Sequence, residues 1–366
     1  MKHLRADIVK EFSCLGGSCP NTCCKGWRVY IDDATYRKYQ AFDEPLRSEM
    51  LSKIEKVGDR YAFNMNEKTK HCDFLNKDGL CDVYIKISPD AMGEVCQMFP
   101  RDRTDVGDMR LYYLHLSCPE VVRLLIDRKD NVSYLYEEDD VPVKHEAFEP
   151  ELLNVLFDGF VLSDAIAVNE SLSIGEKLYT LFLLSKLIQE GIDNKNPSLN
   201  AEQIGLMENE DNLKELLKLC PDSLKTECIS YENAKMFLGG LSNVRENLYI
   251  EDILKRMEAC DKTEWDSRAA QLKRLGLERE LGNIFSYVMF EYFMTAIKDG
   301  DIMDKFFRAS LVMRFIQIYM VLFLAGEREN LKERLCDGVS RISRDIEHSS
   351  ILEKVVGKVH SLELIM

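Results

Sequence analysis

Eight of the twelve cysteines in this 366-residue chain fall within its first 118 residues, and four of them form one run, Cys14-x4-Cys19-x3-Cys23-Cys24. Cys72, Cys81, Cys96 and Cys118 complete the set. Such a density of reactive thiols calls for a metal, a cluster, disulfides or redox chemistry. The segment Met1–Phe12 intersperses charges and holds no apolar run of the secretion-signal kind, which predicts a cytoplasmic protein. In that reducing compartment clustered cysteines bind metal rather than pair as disulfides. Soft sulfur ligands select zinc or an iron–sulfur cluster over hard cations. The spacings suit a loop wrapped round one centre, with Cys72 and Cys81 supplying further ligands from a second segment. Eight thiols exceed the four that one centre needs, so either two centres form or some cysteines only pack. Spacing leaves both open. Of the six histidines, His71 and His115 lie near the cysteines and read as hydrogen-bonded structural residues, which favours an all-cysteine ligand set over a mixed zinc site.

The elements that must position these thiols are short. Asp32 or Asp33 is placed to cap a helix from Ala34, and Asp43-Glu-Pro45 interrupts it before a second helix carrying Leu46, Met50, Leu51 and Ile54 on one face. Tyr61, Phe63 and Met65 alternate as in a strand. Cys72 to Cys81 reads as a hairpin whose Asn76-Lys-Asp-Gly79 turn delivers both thiols to one end of a ribbon. Ser88-Pro-Asp90 starts a helix with Cys96 near its end. A strand from Met109 to Leu116 runs into Ser117-Cys-Pro-Glu120, which has the form of a capping box and puts Cys118 in the first helical turn. There the helix macrodipole predicts a thiolate.

The fold class read from these patterns is mainly α: a small cysteine-rich α+β N-terminal domain over 1–130, an acidic connector over 131–150, and an all-helical C-terminal domain over 151–366. Apolar residues recur at helical spacing through 152–167, 174–188, 201–220, 232–257, 265–298, 303–324 and 331–346. Cys220, Cys228, Cys260 and Cys336 are scattered there as small buried hydrophobes. A net charge of −15 repels phosphate backbones, and no Lys/Arg run offsets it, so nucleic acid is not an expected partner. The apolar window Phe315–Ala325 is shorter than a membrane span and contains Gln317, so it reads as a buried helix.

Several catalytic motifs do not occur. There is no G-x-G-x-x-G, no Walker loop, no H-E-x-x-H, and no Cys-x3-Cys-x2-Cys of the kind that cleaves S-adenosylmethionine reductively. The stretches Cys14…Cys19-Pro-Asn-Thr-Cys-Cys-Lys-Gly-Trp27 with Ile31-Asp32, Cys72-x-Phe-Leu-x3-Gly-Leu-Cys81, Cys96-x2-Phe-Pro-Arg101 and Leu116-Ser-Cys-Pro-Glu-Val-Val-Arg-Leu-Leu125 resemble, in that order, the flagellin lysine-N-methylase family. This N-terminal part is also similar to a wider zinc- or iron-chelating cysteine-rich domain. For the helical remainder the likeness rests on length and helical character.

The resemblance implies methyl transfer from S-adenosylmethionine to lysine ε-amines of a flagellin-type protein substrate, with a [4Fe-4S] cluster. Its candidate metal ligands are Cys14, Cys19, Cys23, Cys24, Cys72, Cys81, Cys96 and Cys118. Which four bind is left open, and zinc stands as the alternative metal. Glu120, Tyr112, Tyr113 and His115 are candidate bases by proximity in sequence, and Arg101 and Arg103 could pair with the donor's carboxylate. The competing readings are a zinc-stapled protein-binding module without catalysis, and a cluster enzyme acting on another substrate.

Overall fold

Strand β1 (Lys2–Ala6) opens the chain, its alternation putting Leu4 and Ala6 on a buried face. The computed structural model describes residues 1–140, 148–239, 248–326 and 329–347. In it β1 sits inside a four-stranded sheet of order β5 (Arg101–Val106), β6 (Met109–Leu114), β1, β7 (Tyr134–Glu138). β1 runs parallel to β6 with Leu4 opposite Leu111, and the other pairings are antiparallel. A smaller antiparallel sheet joins β2 (Tyr30–Ile31), β4 (Arg60–Phe63) and β3 (Ile54–Val57).

Part of the stretch read as an acidic connector is therefore a strand. β7 is an edge strand whose carboxylates are answered by neighbours, Arg5 and Lys10 pairing with Glu137 at 2.8 and 3.0 Å. One solvated face and one free edge give such a strand a polar composition. Residues 141–147 of the same stretch lie outside the described residues.

From residue 148 onward the described residues form helices and no strand, and the fold is mainly α. The helix Pro150–Val168 has Pro at its first turn, and Ile174–Asp193 starts on a true capping box, Ser173 with Glu176. The segment read as one helix over 201–220 is two, Ala201–Leu206 and Glu210–Lys218, because the Asn209 side chain caps a fresh start by accepting from Asp211 and Asn212 N–H. The segment 265–298 likewise breaks at Gly276, whose φ of 64° ends one helical stretch before Glu278–Tyr292 begins. The apolar window lies in Ile302–Leu324, long and apolar enough to cross a membrane but mostly buried in this fold. Its polar residues are paired inside: Arg314 donates to Gln317 Oε1 at 2.6 Å, and Gln317 Nε2 donates to the Glu227 carbonyl at 2.9 Å.

Two buried clusters result. One gathers the sheet's inner face, including Leu4, Leu111 and Leu114, with helix residues such as Phe160, Phe290, Phe315 and Ile342. The other holds Val29, Ile31, Tyr39, Met50, Phe63 and Phe74 in the cysteine-rich segment. Cys72 belongs to this smaller cluster with Cys24, Cys81 and Cys96 packed on it, and Cys118 lies in the larger one.

Candidate metal centre

Local pairing draws the cysteine segments together. The Cys72 N–H donates to the Cys24 carbonyl at 2.8 Å, and neighbouring bridges link Lys25 with His71 and Met65 with Cys72, so the first cysteine run lies alongside the second segment. Between Cys72 and Cys81 the expected turn forms: Asn76 Oδ1 accepts from Asp78 and Leu80 N–H at 3.0 and 3.1 Å, and Gly79 takes a φ of 73°. It closes on a single Leu75–Cys81 bridge rather than a ladder. Cys96 sits within its own helix, Glu94–Met98, separate from the 3-10 turn Pro89–Ala91 where the sequence suggested one helix. Asp32 fixes this arrangement by capping Asp33–Gln40 through Thr35 N–H at 2.7 Å while accepting from Glu94 N–H at 3.1 Å.

Cys118 departs from expectation. Pro119 occupies the first helical position, so Cys118 is the N-cap of Pro119–Ile126 and Glu120 falls one residue short of the place a capping box requires. Glu120 instead binds Arg123 through both oxygens, at 2.6 and 2.7 Å. Burial pushes the Cys118 thiol up to about 11, outweighing the backbone N–H groups of Val121 and Glu120 that pull it down. Burial therefore opposes the thiolate that the helix start was expected to favour.

Two adjoining cavities collect the eight thiols. A small one of about 60 Å³ is lined by Cys23, Cys24, Cys72, Cys81 and Cys96 among apolar walls that include Trp27, Phe63, Phe74 and Phe99. A larger one of about 520 Å³ shares Cys23, Cys24, Cys81 and Cys96 with it and adds Cys14, Cys19 and Cys118, together with Arg101, Glu120 and Tyr84. Among the described residues no three His, Cys, Asp or Glu side chains are drawn close enough to form a ready ligand set for a single ion.

In donor type the site fits a soft metal group, because thiols from separate segments line both cavities and burial makes most of them unfavourable as free anions. Burial raises Cys72 to about 12, with Cys24 and Cys81 adding repulsion, and Cys96 and Cys19 are raised chiefly by burial as well. Cys23 and Cys24 share a hydrogen bond that lifts Cys23 and holds Cys24 below the ordinary thiol value, against burial and with help from Thr22 and Arg344. A bound cation would reverse this balance, since a coordinating thiol is deprotonated outright.

The remaining candidates divide. Arg101 and Glu120 line the larger cavity, whereas Arg103, Tyr112, Tyr113, His71 and His115 line neither. His115 Nε2 lies 3.1 Å from Asp102 Oδ2 and its Nδ1 3.6 Å from Glu347 Oε2, with the ring stacked on Phe99. Burial opposes its charge, but Asp102 and Glu347 override it and lift His115 to about 10. With the folded value above the free imidazole's, the ion pairs stabilise the fold fully below about pH 6.5 and lose that contribution as pH rises through about 10. The gap in urea midpoint between wild type and His115→Gln is therefore expected to narrow between about pH 6 and about pH 10. A constant gap would contradict the ion-pair geometry.

Residues that sequence reading missed include Arg344, far along the chain in the helix Leu331–Glu347, whose guanidinium reaches the loop of Cys23 and Cys24.

A family model for the FliB lysine N-methylase C-terminal domain matches residues 162–360. The chain belongs to the FliB lysine N-methylase family. The match falls on the helical body, where sequence motifs were fewest. The family's curated relatives are similar over a shorter span. The flagellar biosynthetic protein FliU of Salmonella muenchen is 29% identical over 128 residues, covering 34% of this chain and 76% of that protein. The lysine-N-methylases of Salmonella typhimurium and Salmonella choleraesuis are each 29% identical over 128 residues, so the matched part spans 34% of this chain but only 32% of either enzyme. No solved structure matches.

Proposed function

We propose that this chain transfers the methyl group of S-adenosylmethionine to the ε-amine of lysine side chains on a protein substrate, a flagellin by kinship, and that an iron–sulfur cluster held by N-terminal cysteines takes part. The observation that carries the reading is the lysine N-methylase match over residues 162–360. Supporting the cluster is the convergence of thiols from separate segments on two adjoining cavities. The reading keeps the enzyme in a reducing cytoplasm, where such thiols stay available.

In the transfer the C–S bond of the sulfonium breaks as the C–N bond forms, leaving a thioether and an N-methylated lysine whose ammonium proton has gone to a base. An amine near pKa 10.4 in water must be deprotonated before it attacks. Of the bases considered, Glu120 is engaged by Arg123, and His115 already carries its proton at neutral pH. Neither suits the task. Arg101, on the wall of the larger cavity, suits the donor's carboxylate through its fork of donors. If held by these cysteines, an iron–sulfur cluster would supply Lewis-acid or one-electron chemistry. The exposed apolar side chains Leu15, Leu80 and Tyr84 on the same cavity wall suit contact with a protein surface.

The test is anaerobic purification with quantification of iron, sulfide and zinc, then incubation with isotopically labelled donor and candidate flagellins. Brown protein with iron and sulfide in similar amounts, and label at lysines by mass spectrometry, are expected. Colourless protein with stoichiometric zinc would favour a non-catalytic module. No labelled lysine with the cluster intact would defeat the methylase reading for these substrates.

A further inference from the structure

Arg344 is 8% exposed and spends its guanidinium on two cysteine-bearing segments at once. One terminal nitrogen donates to Asn21 Oδ1 at 3.0 Å and to the Thr22 and Lys25 carbonyls at 3.1 and 3.2 Å. The other donates to the Asn21 carbonyl at 3.0 Å and the Ser117 carbonyl at 3.2 Å. The first group of acceptors flanks Cys23 and Cys24, and the last immediately precedes Cys118. Trp27 completes the contact: its ring lies 4.8 Å from the guanidinium carbon, and its Nε1–H donates to the Cys23 carbonyl at 2.8 Å.

We propose that Arg344 is a positioning residue for the thiol centre, a clamp by which the helical body holds the Cys23–Cys24 loop against the segment of Cys118. Backbone carbonyls from two loops cannot hold a register by themselves, because loop ordering is entropically costly and each carbonyl can turn to water instead. A planar fork presents several N–H groups in fixed directions, which a lysine's point charge does not. The Arg344 Nε is buried without a hydrogen-bond partner, so the side chain is placed for its terminal nitrogens at a cost elsewhere. Its charge also has a use. Burial disfavours the cation, whereas anionic sulfur at Cys23, Cys19 and Cys118 would favour it, so a thiolate-ligated group and Arg344 stabilise each other.

Thiol accessibility tests the clamp without any metal. Reduced, metal-free full-length protein is alkylated with iodoacetamide and the rate at each cysteine read by peptide mass spectrometry. In both Arg344→Lys and Arg344→Gln, Cys23, Cys24 and Cys118 are expected to react about tenfold faster than in wild type, as loss of buried hydrogen bonds implies. Cys228 and Cys260 in the helical body should keep their wild-type rates. Equal rates at the three cysteines in wild type and both variants would overturn the proposal. If Cys228 and Cys260 also accelerate, the variant has unfolded generally, and the milder Asn21→Ala decides: about a two- to threefold rise at Cys23 and Cys24 supports the clamp, and no rise rejects it.

A second readout rests on the proposed cluster. After anaerobic reconstitution with iron and sulfide, both Arg344 variants should retain less iron per chain than wild type. Its reduction potential should fall further in Arg344→Gln than in Arg344→Lys, which keeps the charge, a difference that a purely structural role would not produce. Wild type that takes up no iron would sink the cluster reading while the alkylation rates still judge the clamp.

Discussion

If the proposed cluster is present, replacing Cys24 by serine is expected to strip it from the protein and reduce lysine methylation beyond measurement. Cys24 lines both cavities, and its carbonyl accepts from the Cys72 N–H, so its thiol stands where the first cysteine run meets the second. It is also the thiol held low, by the hydrogen bond from Cys23 first and then, against burial, by Thr22 and Arg344. The sulfur that most readily becomes an anion is the one a soft cation takes first. Serine keeps the size but offers a hard, far less acidic oxygen. Loss of a mere outer-shell partner costs about 10–100-fold in metal affinity or activity, so loss of a ligand should exceed that. Cys228→Ser, in the helical body with its Sγ 3.3 Å from the Ile229 carbonyl, provides the comparison and should keep full metal and activity. Iron and sulfide assays on both variants check this. A Cys24→Ser protein with wild-type metal content would remove Cys24 from the ligand set.

The residue types at the site were legible in the sequence because their chemistry is local. Thiols at short spacing declare themselves, and the Asn76–Gly79 turn follows from side chains adjacent in the chain. Helix starts with real caps were readable too, as at Asp32. What escaped depends on contacts between distant segments. β1 and β5 carry mixed charges and owe their pairing to β6, and β7 looked like linker because its edge position keeps it acidic. The same S-x-x-E pattern forms a capping box at Ser173 and fails at Ser117, because Pro119 sets the helix start one residue later than the motif assumes. Arg344 is hardest of all: nothing near it in sequence marks it, and its role exists only once the last described helix lies against Pro119–Ile126.

The same helix also packs closely against Ile302–Tyr319, which makes Gly338→Ala the second large effect. Gly338 lies in Leu331–Glu347, and a Cβ there would sit 2.2 Å from two carbons of the Tyr319 ring. Tyr319 has little room to yield: it is buried, its hydroxyl donates to the Arg334 carbonyl at 2.7 Å, and its ring stacks on Phe323 with centroids 4.9 Å apart. Two terms oppose each other. Alanine is better than glycine in a helix interior by up to about 1 kcal/mol. Overpacking costs about 1–3 kcal/mol, and a lost buried hydrogen bond about 1–3 more. The steric term wins, and a net loss of about 2–3 kcal/mol in urea unfolding is expected. Because Arg344 lies on the same helix, the displacement should also loosen its grip on the cysteine loop, so Cys23 and Cys24 should alkylate faster in Gly338→Ala although neither touches the mutated position. Tyr319→Leu added to Gly338→Ala removes the clashing ring and should recover part of both losses, a coupling that two independent sites would not display. A Gly338→Ala protein more stable than wild type would mean that helix propensity, not interhelical distance, governs this position, and that the helix Leu331–Glu347 reaches the thiols by some other constraint.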